Sequence, residues 1–422
     1  MLVRGAPPGS VVEVRPFKKK RGEIHARRSR LVEAPPDAVL PPCSVFGLCG
    51  GCVLQELPIS AQRQAKEEMV ATLLGDLGDA SFHPIQGPEE EYGYRNKVEI
   101  SFGSSQYLSE ERLARGDPID GRFLGFHPPG RFDRIVDVPR CELVGDKTNA
   151  HLQRVREALP SSEFLPWNPR THEGFWRHLV LRETTTGESL VAFYTAPPPE
   201  GAEAELAALA ESLDATGVLW WVNDRVADAA IGEQRALLGG RPWIEERLSG
   251  LTLRLSITSF FQPNTRGAEM LYALVGEALG RGERLLDLYC GIGSIGLTLR
   301  DRFTEIVGVE INAHAAEDAR ANAERNGVSH YRTVCGPVEA STEGLEADAV
   351  VVDPPRAGLH PKAATWLAQL RATRLVYVAC NPASLARDRA VLEEGGWRLT
   401  DLWTVDLFPQ TGHVEAVALF VR

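Results

Sequence analysis

The chain has 422 residues, of which 43% are hydrophobic and 24% are charged, and this length suits two or three domains with buried cores. No apolar run is long enough to span a membrane, and the first residues lack the charged-then-apolar order of a signal peptide, so we expect a cytoplasmic protein. The seven cysteines are an odd number in such a chain, which argues against a disulfide framework.

Residues 1–40 alternate apolar and polar side chains, as in SVVEVRP, and predict two or three short strands, too few for an independent core. The net charge is −11, yet residues 1–30 hold nine Lys and Arg against two Glu, mostly between Lys18 and Arg30. Such a run is either a solvated basic tail or a surface that contacts phosphates.

Residues 41–255 predict a central α+β region. A Pro-rich hinge and a cysteine-rich segment come first, followed by a helix from about Ser60 to Leu77 with Ser60 as its N-cap. Four predicted strands then follow, with an amphipathic helix at residues 202–213. These strands are KVEISF, HLVLRE, LVAFYT and VLWWVN.

Residues 256–422 change in pattern. Short, near-continuous apolar runs alternate with helical stretches, which is typical of buried parallel strands in a wound α/β domain. The runs are LLDLYC, EIVGVE, DAVVVD, RLVYVA and AVALFV. We therefore expect the α/β class overall.

The first motif, Asp287-Leu-Tyr-Cys-Gly-Ile-Gly-Ser-Ile-Gly296, joins a strand to a helix through glycines that let a ligand approach the backbone. Glu310 ends the next strand and could accept both hydroxyls of a ribose. The glycines also satisfy the dinucleotide pattern G-x-G-x-x-G, so spacing alone does not choose the cofactor.

The second motif, Asp353-Pro-Pro-Arg356, also follows a strand and should lie at the ligand-binding edge of the sheet. Enzymes that methylate exocyclic amines often carry an aromatic residue where Arg356 stands. This departure argues against methylation of an amine.

The third motif, Cys380-Asn-Pro382, directly follows the strand LVYVA, a position better suited to a nucleophile than to core packing. A nucleophilic cysteine suits methylation of a pyrimidine ring, because C5 of uracil takes a methyl group only after a thiolate adds to C6. A thiolate is needed, so we expect a site that lowers the pKa of Cys380. Glu415 is the candidate general base, with His413 as its competitor.

Cys43, Cys49 and Cys52 lie within ten residues, which indicates a metal site. Cys141 is the remaining unassigned cysteine outside the C-terminal region and is the candidate fourth ligand. Four thiolates suit Zn or a [4Fe–4S] cluster, and the spacing favours the cluster.

Together these motifs resemble the RNA (uracil-5-)-methyltransferase family, in particular its iron–sulfur 23S rRNA branch. The resemblance extends to further motifs: Tyr92-Gly-Tyr-Arg-Asn-Lys97, Gly125-Phe-His127, Ser259-Phe-Phe-Gln-Pro-Asn264 and Phe408-Pro-Gln-Thr-Gly-His-Val-Glu415.

The resemblance implies a class I, S-adenosylmethionine-dependent enzyme that acts on RNA as a monomer and forms 5-methyluridine. It implies Cys380 as nucleophile and Glu415 as base, and it assigns the four cysteines to the cluster. The cofactor site would include Gln262, Tyr289, Gly291, Ser294, Glu310 and Asp353.

Two departures accompany the resemblance. Residues 1–40 match only the second half of the OB-like TRAM barrel that often begins such chains. Pro337 stands where a residue that contacts adenine is usually acidic or an amide.

Three alternatives remain. A cytosine-5 enzyme usually has Pro-Cys in the Asp-Pro loop, which is absent here. The transfer-RNA uracil-5 branch is similar in its catalytic domain but lacks the cysteine cluster, although a few cluster-bearing members act on tRNA. A non-catalytic RNA-binding protein would not need Gln262, Cys380 and Glu415 together.

Overall fold

A computed structural model describes residues 2–20, 22–341 and 344–422. Arg21, one member of the predicted basic run, lies outside the described residues, as do Met1, Thr342 and Glu343. Within the described part of the chain, every helix is too short or too polar to cross a bilayer.

The N-terminal region is a three-stranded sheet in the order β1-β3-β2. Among the described side chains of these strands, Ala26 is the one fully buried apolar group, in line with the prediction that this sheet has no core of its own. The strands are β1 (Leu2–Arg4), β2 (Val11–Lys20) and β3 (Glu23–Glu33).

The central region is a seven-stranded sheet in the order β11-β10-β9-β8-β5-β6-β7, mostly antiparallel, with β9 and β10 parallel. The four predicted strands correspond to β5, β8, β9 and β10. The elements are β5 (Lys97–Ser105), α2 (Glu110–Ala114), β6 (Asp120–Phe126), β7 (Val136–Asp137), α3 (Asp146–Ala158), β8 (Trp176–Glu183), β9 (Ser189–Thr195), α4 (Ala202–Glu211), β10 (Gly217–Val222) and β11 (Glu233–Gly240).

A hairpin, β12 (Trp243–Leu248) with β13 (Leu251–Ser256), leads into an eight-stranded sheet of order β16-β15-β14-β17-β18-β20-β19-β4. Its first five strands are parallel, as predicted from the apolar runs. The elements are α5 (Thr265–Leu279), β14 (Gly282–Leu288), α6 (Ser294–Thr298), β15 (Phe303–Glu310), α7 (Ala313–Arg325), β16 (Tyr331–Cys335), α8 (Val338–Ser341), β17 (Ala349–Val352), α9 (Pro361–Gln369), β18 (Arg374–Ala379), α10 (Pro382–Glu394), β19 (Arg398–Val405) and β20 (Glu415–Val421). The expected α/β class is confirmed.

The helix predicted from about Ser60 to Leu77 and a short strand that the sequence analysis did not predict, both within residues 41–255, fold onto the C-terminal sheet instead. Helix α1 (Ile59–Leu74) buries Val70 in the core of that sheet, and β4 (Ser81–Phe82) pairs with its edge strand β19. The N-cap of α1 is Pro58, and Ser60 lies inside the helix, so the predicted cap was wrong by two residues. Pro58 makes no side-chain cap hydrogen bond, but its φ of −64° is compatible with the extended conformation at the start of a helix.

The central and C-terminal regions share one hydrophobic core. Leu190, Ala192 and Leu219 of the central sheet belong to the same buried cluster as Leu285 and Val376 of the C-terminal sheet. The predicted boundary near residue 255 therefore separates two sheets but not two cores.

Candidate active site

The glycine-rich turn after β14 is tightly built. Tyr289 has a φ of 62°, and Gly293, with a φ of 81°, caps helix α6. A Cβ at Gly296 would lie 2.8 Å from Asp287, so the helix packs against the strand only because this residue is glycine. The turn thus brings the backbone close to the edge of the sheet with few side chains in the way.

Asp287 is fully buried beneath this turn. Its Oδ2 accepts the N–H of Gly296 at 2.9 Å, while Oδ1 has no hydrogen-bond partner among the described residues. Burial raises the pKa of Asp287 to about 7.

Glu310 occupies the end of β15, as the sequence predicted. Its carboxylate accepts the N–H of Gly291 at 3.0 Å and the N–H of Asn312 at 2.7 Å. It therefore ties the glycine turn to the next strand and remains partly exposed at the sheet edge. Ser294, at the start of α6, lies 3.1 Å from the hydroxyl of Tyr272.

Asp353 follows β17 and accepts a hydrogen bond from the buried Gln262 side chain at 3.3 Å. Burial raises the pKa of Asp353 to about 7, and the bond from Gln262 opposes that rise. The structure thus brings Gln262, which precedes α5, to the Asp-Pro-Pro loop, although 91 residues separate them in the chain.

Cys380 and Glu415 meet because β20 runs antiparallel to β18. Ala379 pairs with Ala416, so the residue that follows one strand lies opposite the residue that begins the other. Glu415 is 1% exposed, and its Oε2 has no hydrogen-bond partner among the described residues. Burial and the neighbouring Asp353 hold the pKa of Glu415 well above its usual range.

The expectation of a lowered thiol pKa was wrong for the protein alone. Burial, together with Glu415 and Asp353, which disfavour a further negative charge, raises the pKa of Cys380 to about 11. Arg356 opposes them through its charge and a hydrogen bond to the thiol.

Arg356 is the site residue whose role the sequence analysis missed. Its Nη2 donates to His413 Nδ1 at 2.8 Å, and its carbonyl accepts from Asn381 at 2.9 Å. The guanidinium therefore lies between the thiol and His413. Its place directly after Asp-Pro-Pro was a usable signal, since that loop and Cys380 follow adjacent strands.

Cys43, Cys49, Cys52 and Cys141 all line one cavity of about 650 Å³ between the cysteine-rich segment and the central sheet. All are free thiols. Burial raises their pKa values, to about 11 for Cys49 and about 12 for Cys52, and their mutual proximity adds to the rise in the latter two. Even so, no three or more His, Cys, Asp or Glu among the described residues are arranged to hold a metal ion.

The other two cysteines have different surroundings. Cys290 is buried, and Cys335 is exposed at the end of β16. Neither lines the cavity that the other four cysteines share.

The basic N-terminal sheet is anchored beside the cysteine-rich segment. Arg28 forms an ion pair with Glu56 at 2.6 Å, and Arg27 donates to the carbonyl of Pro129 at 2.8 Å. Lys18 and Lys19 remain exposed. The sheet thus presents positive charge from a fixed position.

Two family models match the C-terminal part of the chain. The model described as "Methyltransferase small domain" matches residues 265–374, and the model described as "tRNA (Uracil-5-)-methyltransferase" matches residues 339–422.

Relatives match over the whole chain. An uncharacterized RNA methyltransferase of Chlorobaculum tepidum is 36% identical over 98% of this chain and 90% of its own length. The tRNA (uracil(54)-C(5))-methyltransferase of Pyrococcus horikoshii is 34% identical over 100% of this chain and 95% of its own length.

One solved structure is similar throughout. The tRNA (uracil-54, C5)-methyltransferase of Pyrococcus abyssi, in complex with S-adenosyl-L-homocysteine, is 28% identical with a TM-score of 0.79. The alignment covers 99% of this chain and 95% of that one.

The raised pKa of Asp287 predicts that stability falls as pH rises. Between its unfolded pKa near 4 and its folded pKa of about 7, the folded state binds the extra proton, so the free energy of unfolding decreases across this window. Asp287 contributes a decrease of the order of 4 kcal/mol. Asp287→Asn should flatten the dependence, as measured by urea unfolding at pH 5 and pH 8.

Asp301→Asn is the matched control, because Asp301 is exposed and should leave the pH dependence unchanged. An unaltered pH dependence in Asp287→Asn would contradict the assignment.

Proposed function

Since the chain belongs to the S-adenosylmethionine-dependent RNA (uracil-5-)-methyltransferase family, we propose that it methylates C5 of a uridine through a covalent adduct on Cys380. The observation that carries this proposal is the meeting of Cys380, Glu415 and Asp353 at one sheet edge, beside the glycine-rich turn.

Covalent catalysis accounts for the arrangement of the thiol. The Cys380 thiolate adds to C6, the C5 carbon then takes the methyl group from the sulfonium, and S-adenosylhomocysteine is the by-product. Glu415 removes the C5 proton, and the C6–S bond breaks to release 5-methyluridine and the thiolate. Arg356 supports the first step because its positive charge favours the thiolate.

The two carboxyl groups, Asp353 and Glu415, explain why the site favours protonated side chains before the cofactor binds. Asp353 and Glu415 both have raised pKa values beside the buried thiol, so uncompensated negative charge is disfavoured there. A cation at this edge stabilises the ionised forms of all three groups. Since S-adenosylmethionine carries a sulfonium, its binding favours both the thiolate and the ionised base.

The residues present at this edge of the sheet fit a binding site for S-adenosylmethionine. Glu310 ends β15 where it can accept ribose hydroxyls, and the absence of a side chain at Gly291, beside which the nearest atoms lie 3.8 Å from a would-be Cβ, leaves room for a ligand to approach the turn. Gln262, Tyr289, Ser294 and Asp353 complete the proposed contacts.

We further propose that Cys43, Cys49, Cys52 and Cys141 hold a [4Fe–4S] cluster. Their sharing of one cavity supports this, and a cavity of about 650 Å³ suits a group larger than a single ion. Loss of protons to a metal would relieve the cost of ionising these buried thiols. The cluster has no step in the methyl transfer, and its role would be structural.

Two RNA substrates are candidates. The four cysteines and the resemblance to the iron–sulfur branch favour 23S rRNA. The activities for which the two Pyrococcus relatives are named favour tRNA, and both match nearly the whole chain, so the cysteine segment does not exclude tRNA. On either substrate, the exposed Lys18 and Lys19 would contact phosphates.

The nucleophile assignment predicts opposite phenotypes for two variants. Cys380→Ala should bind RNA but transfer no methyl group and form no denaturation-resistant adduct with 5-fluorouridine RNA. Glu415→Gln should form the adduct on ordinary RNA and fail to release it, because the C5 proton stays in place. Gel electrophoresis under denaturing conditions measures both.

Methyl transfer that survives in Cys380→Ala would disprove the covalent mechanism. Cys335→Ala is the control, since its exposed thiol should be dispensable.

The cluster proposal predicts that Cys52→Ser loses iron and sulfide after anaerobic purification, while Cys335→Ser keeps them. Elemental analysis and visible absorbance provide the measurement. Equal iron in both variants, or none in the wild type, would refute the cluster.

Substrate choice is tested by mapping 5-methyluridine in 23S rRNA and in tRNA from cells with and without the gene. Loss of one modified site in 23S rRNA supports the rRNA assignment, and loss confined to tRNA supports the alternative. No change in either RNA would refute uridine methylation.

A further inference from the structure

Residues 406–414, which we call the catalytic loop, join β19 to β20 and carry His413 to Arg356. The conformation of this loop determines where His413 lies and how the chain enters strand β20 at Glu415. Its supports come largely from elements outside the C-terminal sheet, and one of them is helix α1.

Gln62 of α1 holds the catalytic loop through hydrogen bonds to Gln410. Its Oε1 accepts the N–H of Gln410 at 2.8 Å, and its Nε2 donates to the Oε1 of Gln410 at 2.9 Å and to the carbonyl of Leu57 at 2.8 Å. Gln62 is 0% exposed and Gln410 is 1% exposed. One buried amide thus bonds to both the backbone N–H and the side-chain oxygen of Gln410.

These hydrogen bonds matter because the backbone of Gln410 is left-handed, with a φ of 71°. A residue other than glycine holds this conformation only when its surroundings enforce it. The carbonyl of Gln410 also accepts the N–H groups of Val53 and Leu54, at 2.9 and 3.1 Å, from the cysteine-rich segment. Both sides of the peptide are therefore fixed by residues that precede the central sheet.

The rest of the catalytic loop is braced in the same way. Lys66, also on α1, contacts Asp406 at 2.5 Å and the carbonyl of Phe408 at 3.0 Å. The hydroxyl of Tyr94 donates to the carbonyl of Pro409 at 2.9 Å. The loop therefore has several supports, and the support from Gln62 acts at its one left-handed residue.

We propose that Gln62 is a positioning residue, which holds the catalytic loop in the conformation that keeps His413 against Arg356 and Arg356 against the Cys380 thiol. The inference rests on the proposed role of Cys380 and adds a residue of α1 to the reaction. The side chain of Gln62 is buried between its own helix, α1, and the catalytic loop.

The state of Cys380 reports on this arrangement. Burial is the largest cause of the raised pKa of Cys380, and three ionisable groups face the thiol: Glu415 and Asp353 raise its pKa, and Arg356 lowers it. If the loop relaxes, His413 no longer restrains the guanidinium, and the two carboxylates prevail. The thiol then ionises at higher pH.

The test follows alkylation of Cys380 by iodoacetamide against pH in the full chain without RNA, with the Cys380 peptide quantified by mass spectrometry. Gln62→Met, which keeps the side-chain volume and removes the hydrogen bonds, should lower the alkylation rate at pH 8 roughly three- to tenfold. Gln64→Met is the matched control, since Gln64 is exposed on the same helix and bonds only to Glu68.

A wild-type alkylation profile in Gln62→Met, or an equal loss in Gln64→Met, would overturn the proposal. Tyr94→Phe provides a milder second variant that removes one loop support and keeps the ring, and we expect a smaller shift in the same direction. A folded Tyr94→Phe protein without that shift would also count against the proposal. Because alkylation needs no RNA, these outcomes are separate from a failure of uridine methylation.

Discussion

The antiparallel pairing of β20 with β18 brings together groups that parallel strands alone could not assemble. Five parallel strands deliver their carboxyl ends to one edge, which places Asp353 and Cys380 there. A strand that runs the other way contributes its first residue at that edge, and this residue is Glu415. Two carboxyl groups and a half-buried thiol then lie close together, and the carboxyl groups disfavour negative charge on the thiol.

Much of the C-terminal region was predictable because its signals are local. Buried parallel strands appear as unbroken apolar runs, and the residue after each run falls at the ligand-binding edge by geometry alone. Asp353, Glu310 and Cys380 were located in this way, and the structure places all three at strand ends.

The features that the sequence could not predict depend on contacts between residues that are far apart in the chain. The pKa of Cys380 moves opposite to the expectation because it reflects burial and two neighbouring carboxylates, neither of which is visible in a linear motif. The attachment of α1 to the C-terminal sheet likewise depends on pairs such as Lys66 and Asp406, which lie 340 residues apart. The four cysteines line one cavity, whereas the cluster they were predicted to hold stays a proposal.

The common core of the central and C-terminal sheets has a mechanical consequence. Domains that meet through a small polar interface swing relative to one another, whereas here Leu190 and Leu219 are buried in the same cluster as Leu285 and Val376. A hinge between the sheets would expose that cluster to water. The shared cluster therefore opposes a hinge between the two sheets, and under the proposed mechanism the distortion that brings a base to the thiol would fall on the nucleic acid.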